Sequence, residues 1–195
     1  MQFTSVAVFC ASAMGLRSEY ALSARTCGSF LAERNCQIVY GGGKVGLMGE
    51  LADAALKAGG RVTGIIPSFM IDRELAHKGL GELVIVDSMH SRKLQMHERS
   101  EAVIALPGGY GTFEELFEIL TWIQLGLYRK PVGILNVAGY YNHLELQLDH
   151  MCSEGLLKSA HRNFLLFDTQ IEPLFERMSK AEIPEPIFTI SGKET

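Results

Sequence analysis

Two glycine-rich runs carry the clearest chemical signal in the chain: Gly41-Gly42-Gly43-Lys44-Val45-Gly46 and Pro107-Gly108-Gly109-Tyr110-Gly111-Thr112. Each follows a short apolar run and precedes a helical pattern. A strand, a glycine turn and a helix start together make an anion site, because free backbone N–H groups converge there and the helix dipole is positive there. Glycine also lets a phosphate approach the backbone closely. Gly41-x-Gly43-x-x-Gly46 formally fits the dinucleotide fingerprint. It follows the second strand, however, and the next strand, 61–66, lacks the acidic residue that would hold a ribose 2′-hydroxyl. No GxxxxGK[ST] run exists, which argues against a P-loop NTPase. Either loop alone already reads better as an anion site than as a plain turn; two in one sheet strengthen the case for a phosphate-bearing nucleotide.

The second loop has further reactive groups beside it. Thr112 can cap the following helix and donate to a phosphate. Glu114 and Glu115 are expected in the first turn of that helix, where carboxylates are favoured in any case. Adjacent helical positions point about 100° apart, so one of the two faces the site. Upstream, His90-Ser91-Arg92-Lys93 opens a short helix. It reads either as a solvated basic turn or as a cationic clamp, with Arg92 giving bidentate hydrogen bonds to phosphate.

The elements that must position these groups alternate along the chain. Apolar runs at 5–10, 37–40, 61–66, 82–86, 102–106, 132–135 and 164–167 read as strands. Helical spacing covers 19–33, 47–58, 91–99, 113–125, 140–154 and 171–181, and residues 68–81 show no clear pattern. Strands that are apolar nearly throughout, interleaved with helices, predict a doubly wound, mostly parallel, Rossmann-like α/β sheet in a single domain. Its ligand belongs at the carboxyl ends of the strands near the switch in strand order. The domain is expected over 1–183, with 184–195 a surface or loose tail.

Bulk properties set limits. A length of 195 residues suits one domain, and a net charge of −4 offers no general basic surface for nucleic acid or anionic membranes. No apolar run is long enough to span a bilayer. Cys10, Cys27, Cys36 and Cys152 include no CxxC pair and read as free thiols in a reducing compartment, so a cytoplasmic location is expected. The six histidines show no HxH or HExxH spacing, so no metal is expected. No GxSxG elbow supports a Ser-His-Asp hydrolase.

At these residues the sequence resembles the LOG (LONELY GUY) family, also labelled lysine-decarboxylase-like. Pro107 to Glu115 satisfies PGGxGTxxE, and MHxRKxxM lies at Met89–Met96. VFC-x-S-x-x-G spans Val8–Gly15, YGGGxxGLMG spans Tyr40–Gly49, and TWxQLG and KPVGxLNVxGYYN follow from Thr121 and Lys130. The resemblance runs from about residue 6 to residue 167. It implies hydrolysis of the N-glycosidic bond of nucleoside 5′-monophosphates, namely N6-substituted AMP and AMP itself, to free base and ribose 5-phosphate, with no cofactor. It also implies that Arg92 and Glu115 are the catalytic pair. Ser12, Gly42, Gly43, Gly46, Met89, Lys93, Gly108, Gly109, Gly111 and Thr112 are the expected substrate and phosphate contacts. Two stretches depart from the family pattern: Ala11 stands where glycine is usual, and Ser100-Glu101-Ala102-Val103 where S/A-D-A-F is usual. Glu101 is expected to bear on base contacts or a subunit interface.

Cleavage of an N-glycosidic bond builds positive charge on ribose C1′. A fixed carboxylate there, assigned to Glu115, stabilises that charge and activates water. Arg92 serves either the phosphate or the departing base. Decarboxylation would need a Schiff-base lysine and pyridoxal phosphate; Lys44 and Lys93, the lysines near the loops, suit phosphate contacts better. The helix 113–125 is apolar around much of its circumference, and with the family's habit this predicts a homodimer. The alternative function is a non-catalytic nucleotide or molybdenum-cofactor-carrier module, which would not need Arg92 and Glu115 together.

Overall fold

The computed structural model describes residues 3–71 and 76–187. Seven strands, β1 (Ser5–Phe9), β2 (Gln37–Tyr40), β3 (Val62–Pro67), β4 (Glu82–Val86), β5 (Ala102–Ala105), β6 (Val132–Leu135) and β7 (Leu166–Asp168), form one sheet in the order β4-β3-β2-β1-β5-β6-β7. Every neighbouring pair is parallel. The α/β expectation holds, and the sheet is wholly rather than mostly parallel.

The helices are α1 (Ser18–Glu33), α2 (Gly46–Lys57), α3 (Ser68–Ile71), α4 (Met89–Glu98), α5 (Tyr110–Gln124), α6 (Asn142–Ser153), α7 (Ser159–Phe164) and α8 (Ile171–Ser179). Strand side chains alternate between faces. Val6 and Val8 of β1 accordingly join a core with α1, α2 and α8, while Ala7 and Phe9 join a second core with α4, α5, α6 and α7. Burial on both faces explains why the strands read as continuous apolar runs.

Strand order reverses between β1 and β5, which lie side by side while their crossovers lead outward in opposite directions. The loops leaving those two strands, 10–17 and 106–109, therefore border the crevice where such sheets bind ligands. The loops are joined directly, since Ala11 N–H donates to the Pro107 carbonyl at 3.1 Å.

Three local expectations are corrected. Helix α5 starts at Tyr110, not 113, because Gly109 is its extended N-cap and Gly111 is accommodated in the first turn; Glu114 and Glu115 thus fall in the second turn. The run read as a strand from 164 begins as the end of α7, where Phe164 packs into the core, and β7 starts two residues later. Glu101 lies at the amino end of β5, away from the ligand crevice, which removes the base-contact half of its expected role; its carboxylate accepts from the Thr4 N–H and hydroxyl at 2.7 and 3.0 Å. Part of the unassigned 68–81 stretch, residues 72–75, and most of the expected tail, 188–195, lie outside the described residues.

Candidate active site

The β1–β5 crevice opens into a cleft of about 320 Å³. Its floor is the end of β1 with Ala11 and Ser12, one wall is Gly41 with Arg92, and the other is the start of α5 with Glu115.

The α5 end supplies the anion-binding geometry. Phe113 N–H is the first to bond within the helix, to the Gly109 carbonyl at 3.1 Å, and no side chain caps this terminus. The amides of residues 109–112 are the helix's unsatisfied donors, and Gly109, Gly111 and Thr112 line the cleft. A Cβ on Gly108 would lie 2.0 Å from the Thr112 hydroxyl oxygen, so glycine there lets buried Thr112 tuck against the turn. Tyr140 donates its hydroxyl to the Gly108 carbonyl at 2.6 Å and pins the loop from behind.

The first glycine run does different work. At α2, the N–H groups of Leu47 and Met48 already donate to the carbonyls of Ala13 and Ala11. Gly46, at φ +63°, lies so close to Ser12 and Ala13 that a Cβ would come within 2.2 Å of their backbone. Gly42 accepts from the His77 N–H at 2.9 Å, and Gly43 bridges to Ala76. Gly42, Gly43 and Gly46 are not among the residues that line the cleft. The glycine of this run that lines the cleft is Gly41, which was not among the expected contacts. A Cβ there would lie 1.8 Å from Arg92 Nη2.

That space lets the Arg92 guanidinium lie flat on the backbone. Nε donates to the Ile65 carbonyl at 3.1 Å and Nη2 to the Gly41 carbonyl at 3.1 Å. Nη1 is turned to the cleft, 3.8 Å from Glu115 Oε1 and 3.8 Å from the Met89 sulfur. Both Arg92 and Glu115 are buried. With Nε and one Nη2 proton committed, bidentate seizure of a phosphate through that edge is unavailable, which favours a role for Arg92 at the reacting end.

Glu115 is the electrostatic centre. Burial pushes its carboxyl up to about 7, against the lowering pull of Arg92. A carboxylate poised near neutrality can exchange a proton at physiological pH. Cys10, at the cleft floor, is driven the same way by burial and by Glu115, and stays a thiol.

Of the other expected residues, Ser12 lines the cleft. Met89 reaches the site only through its sulfur contact with Arg92. Lys93 does not line the cleft: its ammonium is held by Glu114 and, at 2.9 Å, by Glu118. Burial pulls Lys93 down, but those two carboxylates more than reverse the effect and keep it protonated, unlike a Schiff-base lysine. Met48 and Met70 line the cleft and were not anticipated: Met48 at helical spacing reads as core, and Met70 falls in a stretch with no clear pattern. Among the described residues no cluster of three or more His, Cys, Asp or Glu is placed to hold a metal ion.

The profile of a family described as possible lysine decarboxylase matches residues 48–178. A cytokinin riboside 5′-monophosphate phosphoribohydrolase of Arabidopsis thaliana (LOG5) is 42% identical over 91% of this chain and 78% of its own. A second from that plant (LOG2) is 45% identical over 85% of this chain and 78% of its own. A probable rice enzyme of the same name (LOGL9, Oryza sativa subsp. japonica) is 45% identical over 85% and 73%. Among solved structures, the molybdenum cofactor binding protein of Rippkaea orientalis superposes with a TM-score of 0.65 at 22% identity, over 90% of this chain and 94% of that one. The Moco carrier protein of Chlamydomonas reinhardtii gives 0.67 at 16% identity, over 90% and 95%; at such identities the likeness is one of fold. With its sequence shared over most of its length, this chain belongs to the LOG, or lysine-decarboxylase-like, family.

Proposed function

We propose that this protein is a phosphoribohydrolase that cleaves the N-glycosidic bond of nucleoside 5′-monophosphates, N6-substituted AMP such as isopentenyl-AMP together with AMP, releasing free base and ribose 5-phosphate. Curated relatives are named cytokinin riboside 5′-monophosphate phosphoribohydrolases, which supports this reading. The observation that carries the reading is the buried Arg92–Glu115 pair, 3.8 Å apart, facing the switch-point cleft beside an uncapped helix end. From Gly111 to Glu115 α5 rises about 6 Å, comparable to the span of ribose 5-phosphate. A 5′-phosphate on the amides of residues 109–112 therefore sets the anomeric carbon near the carboxylate.

In the reaction, water adds to C1′ as the C1′–N bond breaks. The base leaves with the bonding electrons and takes up a proton from solvent; the water gives its proton to Glu115, which then returns it to solvent. The ionised carboxylate also offsets the positive charge that builds on the sugar. Arg92 Nη1, turned to the cleft, steadies the departing base or a ribose hydroxyl. The anchored phosphate contributes remote binding energy that positions the sugar.

The test is incubation of wild type and Glu115→Gln with AMP and isopentenyl-AMP, followed by chromatography of the free base. Wild type releases base; the variant binds nucleotide and loses on the order of a hundredfold or more in rate. Near-normal turnover by the variant refutes the role of Glu115. Nucleotide bound but uncleaved by wild type would instead support a carrier-type binding module.

A homodimer is part of the proposal. Phe117 of α5, Leu146 of α6, and Leu127 and Leu156 in the turns after those two helices are exposed, and apolar exposure of that kind fits a subunit contact. A monomer by sedimentation at micromolar concentration would refute it. No helix among the described residues is long and apolar enough to cross a membrane. The four unpaired cysteines fit a cytoplasmic location, which recovery in a secreted fraction would contradict.

A further inference from the structure

The two catalytic side chains come from helices seated on different parts of the sheet. Helix α4 lies against β3 and β4, and α5 against β1. The Arg92–Glu115 contact, at 3.8 Å, is too long for a hydrogen bond and cannot fix that spacing by itself. Arg92 is anchored to the Ile65 and Gly41 carbonyls. Among the described residues no hydrogen bond is made to the Glu115 carboxylate, so its place depends on how α5 sits relative to α4.

A direct ionic tie within hydrogen-bond reach joins the helices beside this pair. Lys93, next to Arg92, reaches Glu114, next to Glu115, and also Glu118 one turn on. Lys93 and Glu118 are largely sheltered, with side chains 11% and 18% exposed, so the tie is less screened by solvent than a surface pair. We propose that Lys93, Glu114 and Glu118 form an ionic bracket that holds α4 to α5, sets the separation of Arg92 from Glu115, and fixes the charge that the Glu115 carboxylate experiences. Lys93 is thus a positioning residue in the hydrolase reading, on which this inference rests, and not a phosphate ligand.

The charges facing Glu115 make the bracket separable from ordinary structural support. They are Arg92 and Lys93 from α4 and Glu114 and Glu118 from its own helix, with the neutral Cys10 thiol at the end of β1. The cations favour ionised Glu115 and the two other glutamates disfavour it. Removing Lys93 therefore leaves two uncompensated negative neighbours, whereas removing Glu114 takes one away.

The experiment compares the pH dependence of kcat/KM for AMP in wild type, Lys93→Met, Lys93→Arg and Glu114→Gln. In parallel, the Glu115 carboxyl is titrated by carbon-13 NMR in the nucleotide-free proteins. Lys93→Met is expected to move the midpoint of the Glu115 titration, and the acid limb of activity, upward by the order of one pH unit. It also lowers kcat about 10- to 100-fold through the lost spacing. Glu114→Gln moves the midpoint downward, and Lys93→Arg restores most of the wild-type profile. Midpoints that stay put, or that shift the same way in Lys93→Met and Glu114→Gln, overturn the bracket, as does Lys93→Arg behaving like Lys93→Met. If wild type hydrolyses no nucleotide, the hydrolase reading falls while the NMR titration still decides the electrostatic coupling.

Discussion

Replacing Glu115 by glutamine should stabilise the protein above neutral pH while removing its activity. In the folded chain the carboxyl titrates near 7 because it is buried, against an ordinary value of 4.5. Below 4.5 the acid is protonated in both folded and unfolded chains, and burial carries no ionic penalty. Between 4.5 and about 7 the unfolded chain has released its proton and the folded chain has not, so wild-type stability falls as pH rises. Above about 7 the folded chain holds a buried carboxylate and the deficit is constant. The displacement from 4.5 to about 7 corresponds, at ~1.4 kcal/mol per pH unit, to about 3 kcal/mol. Glutamine has the same shape and never ionises, so it escapes that deficit. For a chain of this size about 3 kcal/mol is roughly 6–12 °C in Tm. The assay is thermal unfolding of both proteins from about pH 4.5 to pH 8.5, spanning the linkage window. The Tm difference should start near zero, widen between about pH 4.5 and 7, and then level off. A difference independent of pH, or a variant less stable than wild type at about pH 8, would refute the assignment of Glu115 as a buried carboxyl held near neutrality.

Three other outcomes follow from the same geometry. Because the ionised form of Glu115 does the chemistry, kcat/KM for AMP should climb with pH and flatten above about 7; a level profile from about pH 5 to pH 8 contradicts it. Gly41→Ala puts a methyl group 1.8 Å from Arg92 Nη2 and should cost on the order of a hundredfold in kcat/KM. Since both changes act on one group, Gly41→Ala combined with Arg92→Ala should be no slower than Arg92→Ala alone; additive losses would mean that Gly41 has another role. Lys130, buried beneath the end of α4, donates to the carbonyls of His97 and Ser100 at 2.5 and 2.7 Å. Lys130→Met strands both acceptors and should lower stability by about 3 kcal/mol, or roughly 6–12 °C in Tm; a Tm within about 2 °C of wild type would show that the carbonyls find other donors.

What could be read from the sequence was what short stretches of chain decide. Apolar runs such as 37–40 and 102–106 had to be buried strands, and helical spacing fixed most of α1, α2 and α8. The turn after β5 had to be glycine-rich because bulk at Gly108 would strike Thr112, four residues away. The local match to PGGxGTxxE and MHxRK also brought Arg92 and Glu115 forward together. Their closeness, across more than twenty intervening residues, is a property of the folded sheet.

The fold alone decided how otherwise similar residues divide their work. Two glycine runs looked equivalent, yet Gly109, Gly111 and Thr112 at the α5 terminus line the cleft, whereas at α2 the Ala13 and Ala11 carbonyls take up the Leu47 and Met48 amides. Two adjacent glutamates looked equivalent, yet the 100° step of the helix buries Glu115 and turns Glu114 to Lys93. Two adjacent cations divide in the same way: Arg92 lies on the carbonyls of Gly41 and Ile65, and Lys93 is taken up by α5. A residue's type fixes what it can donate or accept. Which partner it meets depends on strand order and helix placement, which are settled by burial summed over the whole sheet, and no local window contains that sum.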